Sequence, residues 1–106
     1  MEDTAGDPTG TWGQRERGRP WLSFDDARCT GSDGCNKMAG PWRQSGGGRI
    51  EVGPMMVTRM FCEGVDTWLS NVEAVAIDGD RMLVFGTDGK RLGSLRRTAG
   101  IPGGGG

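Results

Sequence analysis

Two Asp-Gly dipeptides, Asp78-Gly79 and Asp88-Gly89, constrain the fold of this chain more than any other feature. Each separates two runs of β-type residues: Val75-Ala76-Ile77, then Met82-Leu83-Val84-Phe85, then Arg91-Leu92-Gly93-Ser94-Leu95. An Asp-Gly pair accepts the positive φ angles of a tight hairpin turn, so the three runs read as an antiparallel meander. Glycine fills 21 of the 106 positions, partly in the Gly46-Gly47-Gly48 loop and the Gly103–Gly106 tail. A surplus of glycine marks turns, and many turns in a short chain mean many short elements. That favours β structure.

The rest of the chain supplies further strands. Thr11-Trp12 opens the domain, and Pro20–Phe24 follows with Leu22 and Phe24 on one face. Residues 27–32 and 35–43 are expected to pair across Gly31-Ser32-Asp33-Gly34, a tetrapeptide rich in turn formers. In the second arm the two-residue period puts Asn36, Met38, Gly40 and Trp42 on one face. Arg49-Ile50-Glu51-Val52 alternates, with Ile50 and Val52 inward. One helix is expected near residues 64–72, because Val65, Trp68, Leu69 and Val72 follow the i, i+3, i+4, i+7 rule and Asp66 falls in the first turn. Seven or eight strands and one helix predict a mainly β domain over residues 10–98: a small antiparallel barrel with the helix across an open end. Residues 1–9 and 99–106 read as flexible tails.

Composition narrows the chemistry. There is no histidine, which removes His-based triads, His acid–base catalysis and most zinc enzymes. The three cysteines have neither redox nor zinc-knuckle spacing. The acidic pairs Asp25-Asp26 and Asp78-Gly79-Asp80 lack calcium-loop spacing, and the glycine-rich segments lack a Walker lysine in register. The expectation is a non-enzymatic protein without cofactor or metal. Formal net charge is −1, so no global field draws nucleic acid, and the arginines at Arg15, Arg17 and Arg19 are interrupted by Glu16. No apolar run reaches the roughly 18 residues of a membrane-spanning helix. The acidic start, Met1-Glu2-Asp3-Thr4, carries no apolar signal region. This predicts a cytoplasmic protein as written, or an extracytoplasmic one if an export signal was removed.

Asn36 and Thr58 are polar residues in otherwise inward-facing strand patterns. If buried, these two must be hydrogen-bonded; they either tie neighbouring segments together or line a barrel mouth. Trp12, Trp42 and Trp68 are expected in the core, and Trp21, after a charged loop, is expected to be the most exposed.

The order Trp12, Gly34-Cys35-Asn36, Gly40, Trp42, Thr58-Arg59-Met60-Phe61-Cys62 resembles the META domain, the family that includes the bacterial heat-shock protein HslJ. The resemblance spans about residues 10–97. It implies a barrel-like fold, a place in bacterial stress tolerance, and proximity of Cys35 and Cys62 on neighbouring strands, with Cys29 outside the motif. Without an export signal the pair is expected reduced. Three functional readings follow: a binding or structural module acting as a monomer on an unknown protein, a lipocalin-like binder of a small apolar ligand, and a thiol redox protein using Cys35 and Cys62.

Overall fold

Every strand expected from alternation forms, and the strands close on one another. In the computed structural model, which describes residues 7–26 and 28–99, the elements are β1 (Gly10–Gly13), β2 (Pro20–Phe24), β3 (Arg28–Asp33), β4 (Lys37–Gly46), β5 (Arg49–Val52), β6 (Met56–Val57), β7 (Ala74–Asp78), β8 (Arg81–Phe85) and β9 (Arg91–Ala99). Eight of them pair in the order β4-β3-β2-β1-β9-β8-β7-β5, and β5 returns to β4. All pairings are antiparallel, and the return of β5 to β4 closes these eight strands into a barrel, with β6 left as an outer edge strand. The meander forms as expected, with Val84 facing Gly93 between β8 and β9, but its first turn is Gly79-Asp80: Asp78 ends β7 opposite Arg81, and Gly79 supplies the positive φ. At the second Asp-Gly site, Asp88 and Gly89 both adopt positive φ, 60° and 74°.

The ten-residue β4 decides how the barrel shuts. Its first half bonds β3 on one side and β6 on the other, with Met38 opposite Val57 and Ala39 opposite Met56. Its second half bonds β5 through Trp42–Val52, Arg43–Glu51 and Gln44–Ile50. β5 then turns to β7, while the chain after Val52 stays along β4 as the outer strand β6. β6 was not anticipated: two residues of ladder carry too short a pattern to read.

The barrel is filled. Trp12, Leu22, Phe24, Cys29, Met38, Ile50, Val52, Val75, Met82, Val84 and Leu95 form one buried cluster with Leu69 and Val72. Leu22 and Phe24 alternate inward as expected, as do Ile50 and Val52, and Asn36, Met38 and Gly40 are all buried. Trp12 is fully buried, whereas Trp42 and Trp68 pack against the cluster from partly exposed positions. Trp21 is half-buried, with the Arg15 guanidinium 4.5 Å from its ring centroid. Among the described residues this cluster fills the lumen with side chains, as is usual in barrels of this size.

Three expectations are corrected. Residues 64–72 form no α-helix; the segment contains one 3-10 turn, Trp68–Asn71. The apolar spacing is still used, since the turn lies against β3 and β9 and drops Leu69 and Val72 into the barrel end. Nine residues are too few to sustain a helix in isolation, and Trp68 seats its ring on the bare Cα of Gly93, where an added Cβ would stand 2.9 Å from the indole. The β3–β4 turn falls at Asp33–Asn36 rather than Gly31–Gly34, closed by the Asp33 N–H to the Asn36 carbonyl at 3.1 Å. Finally, Asp7–Thr9 is packed rather than tail-like: Pro8 is fully buried and its carbonyl accepts the Trp12 indole N–H at 2.8 Å. The Thr9 backbone N–H bonds the Asp7 carboxylate, holding that group below the usual carboxylate range. The remaining tail residues, 1–6 and 100–106, lie outside the described residues.

Candidate functional site

The two motifs meet at one end of the barrel. Gly34 sits at the β3–β4 turn with φ +100°, where a Cβ would press on the Gly18 carbonyl and Val65. Beside it, the buried Asp33 accepts two backbone N–H bonds at one carboxylate oxygen, from Cys35 at 2.9 Å and Asn36 at 2.6 Å. This arrangement fixes the turn and aims the Asn36 side chain at the segment after β6.

Asn36 and Thr58 then form a relay. The Lys37 N–H donates to the Thr58 hydroxyl at 3.0 Å, the hydroxyl donates to Asn36 Oδ1 at 3.1 Å, and the Met60 N–H donates to the same oxygen at 2.5 Å. Asn36 Nδ2 donates in turn to the Met60 carbonyl at 3.5 Å. The chemistry explains the residue types. Thr58 must both accept and donate, and Asn36 must present an acceptor and a donor on one small plane. Of the two expected roles, the hydrogen bonds supply the first, tying strands and loop together. Asn36→Ala is therefore expected to cost about 1–3 kcal/mol in urea denaturation with the disulfide intact. A change near zero would mean that water replaces the relay.

Cys35 and Cys62 are joined, with Cα atoms 5.8 Å apart, a separation suited to a disulfide. The proximity that the resemblance implies is present, but the two residues lie in a turn and a loop rather than on neighbouring strands and are bonded rather than reduced. Cys35 stands in the β3–β4 turn and Cys62 in the loop after β6, so the bond clips a loop to a turn. Sequence spacing could not show this, because 27 residues separate the partners. Cys29 is apart from them and buried on β3. Burial, reinforced by the nearby Asp25 charge, pushes its thiol far above the ordinary range. Iodoacetamide is expected to label no cysteine in the folded protein and only Cys29 after unfolding without reductant. Labelling of the native protein would contradict both the bond and the burial.

β6 and the clipped loop after it present apolar groups outward. Met56, Met60 and Phe61 are 78%, 61% and 89% exposed, and they are the large exposed hydrophobics among the described residues. No local sequence signal assigned these three side chains to core or surface. Thr58, Arg59 and Met60 line a polar cleft of about 390 Å³ whose far wall is Ser70–Asn71. Asn36 also lines it, so both candidate barrel-mouth residues reach this cleft, which lies outside the packed lumen.

A closed small β-barrel with one cross-linked, apolar loop defines a compact scaffold that carries a fixed surface feature. The META domain profile matches residues 3–99, and the chain belongs to the META domain family. No curated protein and no solved structure matches it.

Proposed function

We propose that this META-domain protein is a non-enzymatic binding module working in an oxidising, extracytoplasmic compartment. One observation carries the reading. The loop after β6 is held by a disulfide and a four-residue hydrogen-bond relay, yet it exposes Met60 and Phe61 to solvent. Restraining a loop removes conformational entropy before binding and so favours a partner's docking. The Cys35–Cys62 bond supports the compartment, because cytosolic thiols are kept reduced. A role in bacterial stress tolerance rests on the family resemblance.

The filled barrel weighs against a small apolar ligand in the lumen. A thiol redox role is the second reading, favoured by the Cys35–Cys62 pairing itself. It requires the reduced protein to react rapidly with iodoacetamide near about pH 6, the mark of a stabilised thiolate. Nucleic acid is not an expected partner: Arg15 covers Trp21, and Phe61 is the one highly exposed ring among the described residues, which makes no stacking track.

The test is mass spectrometry of what co-purifies with the native protein and with a Met60→Ser/Phe61→Ser variant. Species held by the native protein should be lost from the variant while its unfolding midpoint is unchanged. Retention of the same species would remove the loop from the binding element.

A further inference from the structure

The sheet splits beside β6. The Val52 N–H still bonds the Glu73 carbonyl at 3.1 Å, but beyond it the chain from Gly53 to Thr58 follows β4 while Ser70–Val72 runs to the barrel end. Two clefts fill the gap. One of about 560 Å³ runs along Gly53–Met55, the other of about 390 Å³ along Val57–Met60, and Ser70 lines both. Of β6, Val57 lines the second cleft, and Met55, just before the strand, lines the first.

The outer edge of β6 is open. The Thr58 N–H bonds the Lys37 carbonyl at 3.1 Å, and Met56 lies opposite Ala39 in the same register. Antiparallel alternation therefore points the backbone N–H and C=O of Val57 away from β4, into the cleft. No strand pairs with that side of β6 among the described residues.

The charges around it are of one sign at one end. Arg59 is the charged residue lining the cleft beside Thr58. On the adjoining outer face, a groove of about 360 Å³ is lined by Arg28, Lys37, Ala39, Met56 and Thr58 with no carboxylate. It continues past Lys37 and Ala39 into a groove holding Arg15 and Arg17, where Glu16 is paired with Arg19 at 3.5 Å. This cationic face belongs to a chain of net charge −1. The other end of the cleft is mixed, with Arg49 beside Glu51, Glu73 and Asp88.

Resting on the binding-module reading, we propose that the outer edge of β6 takes an extended segment of a partner protein as an added strand, acidic where it passes Arg59 and Lys37. Its backbone bonds Val57, an apolar side chain covers Met56, and its carboxylates meet the cationic end. An anionic membrane would use the same charges but has no use for an open backbone edge.

The probes are two capped, fluorescein-labelled peptides with Glu-Val repeats in one half and Thr-Val repeats in the other, in opposite orders. One of them is expected to bind in fluorescence anisotropy, to slow hydrogen exchange at the Val57 amide, and to lose about tenfold in affinity on Lys37→Glu. Val57→Pro, which removes the outward donor, should abolish binding; if that variant unfolds, the exchange measurement decides. Binding of neither peptide overturns the proposal. So does binding without Val57 protection, or binding instead to vesicles of anionic lipid. A natural partner lost on Phe61→Ser but indifferent to Lys37→Glu and Val57→Pro would leave the binding module standing and overturn the strand addition.

Discussion

Replacing Trp12 with alanine is expected to destabilise the protein by about 3–5 kcal/mol, the range for deleting a large buried aromatic. Trp12 lies on β1 between Leu22 of β2 and Arg97 of β9 and is fully buried. Its indole N–H is satisfied by the Pro8 carbonyl, and the Arg97 guanidinium lies 4.2 Å from the ring centroid. The variant therefore leaves a cavity and removes the indole N–H that anchors the Pro8 carbonyl, while the Arg97 guanidinium keeps its bond to the Thr9 carbonyl at 3.0 Å. A domain of this size has roughly 5–15 kcal/mol of stability in all, so the change should bring the variant close to its unfolding threshold. Urea denaturation measures it. A loss below about 1 kcal/mol would be incompatible with Trp12 at the centre of the cluster. Trp21→Ala, which removes a half-buried ring under Arg15, is the comparison and should cost clearly less.

Removing the cross-link with Cys35→Ala and Cys62→Ala is expected to cost roughly 3–4 kcal/mol, as loop-closure entropy gives for partners 27 residues apart. The loss arises mainly in the unfolded chain, which regains the freedom the bond had denied it. The native barrel should persist, because the relay through Asn36 and Thr58 still holds the loop to the β3–β4 turn. Denaturation of the oxidised and reduced wild type provides an independent measure and should give the same difference. Equal midpoints for the two would show that the thiols are not bonded in the folded protein. A variant that also loses its near-ultraviolet tryptophan signal would show that the relay cannot hold the loop without the bond.

The strands were readable because their signals are local. Alternation at Leu22 and Phe24, at Ile50 and Val52, and along Met38 and Gly40 reports which face is buried whatever pairs alongside. Positive φ at Asp88 and Gly89 is likewise a property of those residues. The helix expected near 64–72 failed for the complementary reason. Its periodicity recorded correctly that Leu69 and Val72 are buried, but a stripe of four apolar positions does not specify the backbone that buries them. Trp68 against Gly93 of β9 selected a single 3-10 turn.

The candidate site was legible as a set of residues and not as an arrangement. Cys35, Asn36, Thr58 and Cys62 stood out by the motifs that carry them, yet which atoms they join depends on the β3–β4 turn meeting the segment after β6. Side-chain periodicity and turn chemistry, acting over a few residues, determined the strands, the meander and the inward faces. Closure of β5 onto β4, departure of β6 as an outer strand, the Cys35–Cys62 bond and the exposure of Phe61 were decided only in the assembled barrel. Each depends on contacts between segments far apart in the chain, whose pairing no local pattern encodes.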